Sequence, residues 1–181
     1  YAVASVLSAV TLIAAIWVNQ QSYRYGALSA LALDVGQGES VILWSQDETA
    51  LVDCGSSNSY KDPGGTAADT LHSMGVTRLS AVVVTHYHAD HTNGLYEVLR
   101  RVPVDKLYLP DIEDEYGVRE RLTALAEEKD VQVVWVTDTV TCPLGQAVLT
   151  VYPPVKSGGD LNELGLTALA TSGDFDLLIT G

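Results

Sequence analysis

The chain has 181 residues, 47% of them hydrophobic, and sets 10 basic against 23 acidic side chains for a formal charge of -13. This size suits one domain with a sizeable core. The charge repels polyanions and excludes broad non-specific nucleic-acid binding by this chain alone, although bound cations could still bring a focused site to a phosphate.

The first stretch, "YAVASVLSAVTLIAAIWV", runs uncharged from Tyr1 to Val18 and is followed by the polar "NQQSYRYG". Its length is near the minimum for a bilayer-spanning helix, and Trp17 would be its interfacial anchor. With neither an initiating Met nor a basic leading segment, it is expected to be the end of a transmembrane helix (1–18), with a linker at 19–26.

From Ala27 short apolar runs alternate with turns. "ALSALALDV", "SVILW" and "TALVDCG" read as strands, the first two separated by Gly36-Gln37-Gly38 and the third ending at Asp53. "PGGTAADTLHSMGV" reads as a short helix capped by Thr66 and stopped at Gly75. "LSAVVVTH" is a strand buried on both faces, and "NGLYEVLRRV" a helix. "VDKLYLP" is another strand, and "YGVRERLTALAEEKD" an amphipathic helix. "VQVVWVT", "TVTCPL", "AVLTVYPP" and "DFDLLIT" are further strands, with a loop over "VKSGGDLNE". Strands interleaved with helices predict an α/β sandwich with sheets inside and helices outside.

The chemistry concentrates in "VTHYHADHTNG", which holds three of the four histidines. His86 and His88 alternate by two at the end of a buried strand, so in an extended segment they point the same way. Asp90 and His91 follow a turn and approach from a second direction. Imidazoles with a carboxylate form a ligand set for zinc, manganese or iron, and open positions on such an ion would admit water. His72, alone in a helix, reads as an ordinary satisfied side chain. Cys54 and Cys142 are too few for a disulfide framework. Asp53, closing a strand, reads by itself as a turn former. Asp34 and Gln37 flank the glycine turn, with an equal case for facing the site. The acidic run Asp111 to Gly117 reads as a solvated loop and helix start.

The H-x-H-x-D-H pattern after an apolar strand, with "HADHTNGL", resembles the metallo-β-lactamase superfamily. "LDVGQGES" (Leu33 to Ser40) and "LVDCG" (Leu51 to Gly55) resemble more narrowly the C-terminal domain of the competence membrane protein ComEC. "NELGLTALATSGDFDLLITG" resembles a further stretch of that family, with Asn162 at its Asn. The resemblance implies an αββα sandwich over 27–181 whose N-terminal half to two-thirds is present. It implies His86 and His88 on one ion and Asp90 and His91 on a second, the ions being manganese or zinc. Asp90 would orient the attacking water, and Asp53 would support the ligands as a buttress of the metal loop; Asp34 and Gln37, if they face the site, would join it. It further implies a nuclease that degrades the non-imported DNA strand on the extracytoplasmic face of a bacterial membrane. DNA would be gripped mainly by other regions of the parent protein, and other competence proteins are possible partners.

Three departures are visible. Tyr152 stands near "VYPP", where the superfamily has a third histidine. Glu39 and Gly165 stand where the family has Asp and Ser. The sequence stops at Gly181, one residue before the bridging Asp the resemblance expects, so the 181 residues alone are expected to be inactive. The alternatives to a nuclease are a non-catalytic docking module and a membrane-tethered hydrolase of small esters.

Overall fold

The computed structural model describes residues 2–22, 27–155 and 163–181, with side chains described for 3–18 in the first segment. Asn162 and most of the expected loop around it lie outside the described residues, as does part of the expected linker.

Helix α1 (Ala2–Ser22) takes up the apolar leader, and its described apolar side chains stand exposed. Among the described residues no helix is long and apolar enough to cross a membrane. The transmembrane helix end expected over 1–18 is therefore unsupported among these residues.

The domain is built on two sheets. Strands β1 (Ser29–Ala32), β2 (Val41–Ser45), β3 (Glu48–Val52), β4 (Ala81–Val83), β5 (Lys106–Pro110) and β6 (Gln132–Val136) lie side by side in chain order. β1 to β3 are antiparallel, and β3 to β6 run parallel. The second sheet, in the order β10-β9-β8-β7, is an antiparallel meander of β7 (Val140–Leu144), β8 (Ala147–Tyr152), β9 (Thr167–Ser172) and β10 (Phe175–Thr180).

The parallel strands need crossovers, and these supply α2 (Pro63–Ser73), the short α3 (Ala89–Thr92) with α4 (Leu95–Arg101), and α5 (Val118–Glu128). One core lies between these helices and the first sheet, where Leu51, Leu71, Val82, Leu95, Leu107 and Leu122 are buried. A second lies between the sheets, from Leu43, Val83, Leu144, Leu149, Ala168 and Ile179. β4 feeds both: Val82 faces the helices, while Ala81 and Val83 face the second sheet. That is why its sequence is continuously apolar. Among the described residues the layering is therefore helices, sheet, sheet.

Two local expectations change. α2 begins at Pro63 instead of after Thr66, because Asp62 caps it through Gly65 N at 2.9 Å and Pro63 suits the first helical position. β9 was not expected from its sequence, "TALATS". Its small alternating residues gain a strand's stability from pairing between β8 and β10, with only Ala168 and Ala170 turned into the core. Cys54 and Cys142 are free thiols buried in separate cores.

Candidate metal centre

The parallel strands β3 and β4 end together, with Val52 opposite Val83, and their extensions carry the site. Asp53 N continues the ladder by donating to Val83 O at 2.9 Å. Asp53 then adopts φ 54°, a left-handed conformation that Asp tolerates better than most residues. Its fully buried carboxylate accepts three hydrogen bonds: Thr85 N to Oδ1 (2.8 Å), Thr85 Oγ1 to Oδ2 (2.5 Å) and His91 Nδ1 to Oδ2 (2.7 Å).

These contacts assign the imidazole tautomers. Thr85 Oγ1 spends its proton on Asp53, so it accepts from His86 Nδ1 at 3.1 Å. His86 and His91 thus carry their protons on Nδ1 and their lone pairs on Nε2. His86 is fully buried and His91 largely so. The His86 ring lies 4.0 Å from that of His91 and 4.9 Å from that of His88, centroid to centroid. Three imidazoles therefore lie together at the strand end. His91 joins them from α3, whose N-cap is His88.

Asp90 sits half-buried in the first turn of α3 and adds to the negative potential at His91. The carboxylate nearest His91 after Asp53 is instead Glu39, whose Oε2 lies 3.8 Å from His91 Nδ1. Glu39, Asp53 and His91 form a cluster whose ligand atoms lie within 4.8 Å of one another. Such a trio can clasp a cation. The 2.7 Å separation of Asp53 and His91, however, is a hydrogen-bond distance, which puts a proton between them and leaves Nε2 as the donor nitrogen. The sequence reading missed Glu39 as part of the site, though its position directly after Gly36-Gln37-Gly38 was the available signal.

Burial, reinforced by the charge of Asp53 and opposed by His91, raises the Glu39 carboxyl to about 7. Burial also raises Asp53, against the hydrogen bonds from His91 and Thr85. For His91, burial pulls the pKa down, but the hydrogen bond and charge of Asp53 outweigh it and the net direction is up. An acidic, partly protonated pocket backing three imidazoles is a donor set that suits a divalent transition ion.

Three loops are laced together around this point. Glu39 N donates to Asp90 O and Gly55 N to Glu39 O, each at 3.0 Å. Cys54 N donates to His91 O, and Gly94 N to Cys54 O, each at 2.8 Å. Asn93 grips Ser56 at both ends, accepting from its N at 3.0 Å and donating to its O at 2.7 Å. The approach is so close that a Cβ on Gly55 would overlap Asp90 C and lie 2.6 Å from Ala89 O. One on Gly38 would overlap Gly55 O and lie 2.6 Å from Asp90 O. Gly38 and Gly55 are therefore requirements of the seam between loops.

The remaining expected residues fall elsewhere. Asp34 is exposed and paired with Lys61 at 2.8 Å instead of facing the histidines. Gln37 is exposed and acts through its backbone O, which accepts from Ser57 N at 2.7 Å. Tyr152 ends β8 with its side chain exposed, and His72 lies on the solvent face of α2. Buried Cys54, its thiol pushed up to about 12 chiefly by desolvation, packs with Sγ 3.3 Å from Pro63 O. Gly181, after β10, places the second sheet against Thr85 and His86. The concavity of about 380 Å³ around Trp44, Met74, Arg78 and Ser80 lies by the β2–β3 turn, at the other end of the strands, and contains no histidine.

A profile of the metallo-beta-lactamase superfamily matches residues 33–177. Anti-Pycsar protein Apyc1 of Paenibacillus xerothermodurans is 32% identical over 83 residues, which cover 42% of this chain and 33% of that protein. The fold resembles the metallo-beta-lactamase fold protein YhfI of Bacillus subtilis, with TM-score 0.54 and 17% identity over 85% of this chain and 61% of that one. It also resembles a metallo-beta-lactamase of Cronobacter sakazakii, with TM-score 0.60 and 12% identity over 91% of this chain and 62% of the other. The chain thus spans a third of the curated relative and under two-thirds of these two structures. With the profile covering more than half of its length, the chain belongs to the metallo-beta-lactamase superfamily.

Proposed function

We propose that this domain is a metal-dependent hydrolase, specifically a phosphodiesterase that degrades the non-imported strand beside a DNA-uptake channel of the ComEC kind. The observation that carries the hydrolase reading is the convergence of His86, His88 and His91 at a strand end, with Asp53 fixing the orientation of His91. In support of the ComEC kinship, the two segments that resemble that family meet in space at the motif: Glu39 N bonds Asp90 O, and Cys54 N bonds His91 O.

His86 and His88 would hold one divalent ion, manganese or zinc, and Asp90 and His91 a second. When bound, such ions supply an acidified water and offset charge that develops on a phosphoryl oxygen. The chain's own contribution is to orient and shield. Asp53 and Thr85 fix both tautomers, and burial of His86 keeps bulk water from that side. Asp90, on α3, would align the attacking water. The net charge of -13 implies that other regions of the parent protein grip the DNA. The exposed apolar side chains of α1 support membrane attachment, which we place on the extracytoplasmic face, where other competence proteins could dock.

The test is cleavage of single-stranded DNA by the full parent protein with manganese, zinc or chelator, beside an Asp90→Ala variant. Cleavage that requires the metal and is lost in the variant is the expected result. Tyr152, exposed where a third histidine is expected, favours a second reading as a docking module. Transformation undiminished by Asp90→Ala would select that reading. Activity on small esters but not on DNA would select a tethered esterase.

A further inference from the structure

One aromatic side chain stands at the rim of the histidine cluster, beside His88. Tyr116 is 59% exposed, and its ring centroid lies 6.3 Å from that of His88 at 57°. The loop between β5 and α5 that carries it is held from several sides. Tyr116 N donates to Asp114 Oδ1 at 2.9 Å, Arg119 N to Asp114 Oδ2 at 2.8 Å, and Arg121 Nη1 to Tyr116 O at 2.9 Å. The next residue, Gly117, takes φ 65°, which sets the sharp entry into α5. Upstream, Arg119 bonds Ile112 O and Asp111 Oδ1, and its guanidinium lies 4.3 Å from the Trp135 ring centroid.

We propose that Tyr116 is a specificity-determining residue, a platform on which a nucleobase of the substrate stacks beside His88. The inference rests on the phosphodiesterase reading and names the part of the substrate this rim accepts. With the backbone already fixed, only the ring's own rotamer remains to be ordered on binding, which favours recognition by stacking. The surrounding charge selects what can stack. Asp111, Glu113, Asp114, Glu115 and Glu120 line the loop and helix start, while Arg119 and Arg121 are engaged within it. Phosphates are repelled there, and an uncharged flat base is not. Stacking of this kind tolerates any base, so the rim would select nucleotides over small aliphatic esters without reading sequence.

The experiment uses the full protein with manganese and two probes of equal length, a labelled oligothymidylate and its abasic counterpart. Direct binding and steady-state cleavage are both read. Tyr116→Ala should raise Kd and KM for oligothymidylate by about tenfold, with kcat and abasic binding unchanged. Tyr116→Phe and Tyr116→Trp should restore wild-type values. An unchanged KM in Tyr116→Ala, or equal weakening toward both probes, would overturn the platform while leaving the phosphodiesterase reading intact. A folded wild-type protein that neither binds nor cuts either probe would overturn both.

Discussion

Asp53 is the residue on which the centre turns. It is fully buried, and its three accepted hydrogen bonds tie Thr85 and His91 to the end of β3. Asp53→Asn keeps the shape but cannot accept from all three donors with full charge, so zinc or manganese affinity should fall about 10- to 100-fold. Equilibrium dialysis of the variant against each ion measures this, and unchanged affinity would remove Asp53 from the site. The neighbouring titrations make a second prediction. The folded pKa of Glu39 lies above its ordinary 4.5, at about 7, and that of His91 is also raised. The folded state therefore binds more protons than the unfolded chain from about pH 4.5 upward, and stability without metal falls as pH rises through 7. The Glu39 share of this loss is on the order of 2 kcal/mol after solvent screening. Urea melts at pH 5 and pH 8 should show this loss, and Glu39→Gln should shrink it. A metal-free protein equally stable at both values would contradict the assignment. Little of this was legible in the sequence. "THYHADH" announced the donors, but the partner of His91 is decided by the side-by-side ends of β3 and β4, a contact across 38 positions.

At the scale of elements, the site is a seam between three connections, and its glycines set the spacing. Gly55→Ala would drive a methyl into the backbone of Ala89 to His91, where no side chain can rotate away. Overpacking against backbone costs about 3 kcal/mol, at the upper end of the usual range. The variant should melt at lower denaturant and bind metal more weakly even where folded. Gly173→Ala, on the β9–β10 turn with open space around it, is the comparison that carries backbone strain alone. Equal losses in the two variants would mean that the seam does not matter. The sequence announced the strands entering this seam because each is a short apolar run with a turn after it. It did not announce β9, whose Thr-Ala alternation carries little hydrophobic signal, nor the early start of α2, where Asp62 and Pro63 outrank Thr66 as start signals. Asp34, beside the glycine turn, has in sequence an equal case for facing the site. Lys61, brought alongside by the loop before α2, decided otherwise.

For the whole molecule, the sandwich puts its histidine cluster where two cores meet. β4 is packed from both sides, so the strand end that carries His86 is rigid, while His88 and Tyr116 stand at the rim. The fold class was readable from the interleaved strands and helices, and membership of the superfamily agrees with it. The leader reads by composition as a membrane crossing, which the described residues leave unsupported. The proposed centre holds divalent ions, one on His86 and His88 and a second on Asp90 and His91. The first measurement is to dialyse the protein against chelator, titrate zinc and manganese by calorimetry, and repeat the titration with His91→Ala. The expected result is saturable binding that raises the melting temperature and weakens at least about tenfold in the variant. A folded protein that takes up neither ion, or whose His91→Ala variant binds them as tightly as the wild type, would contradict it.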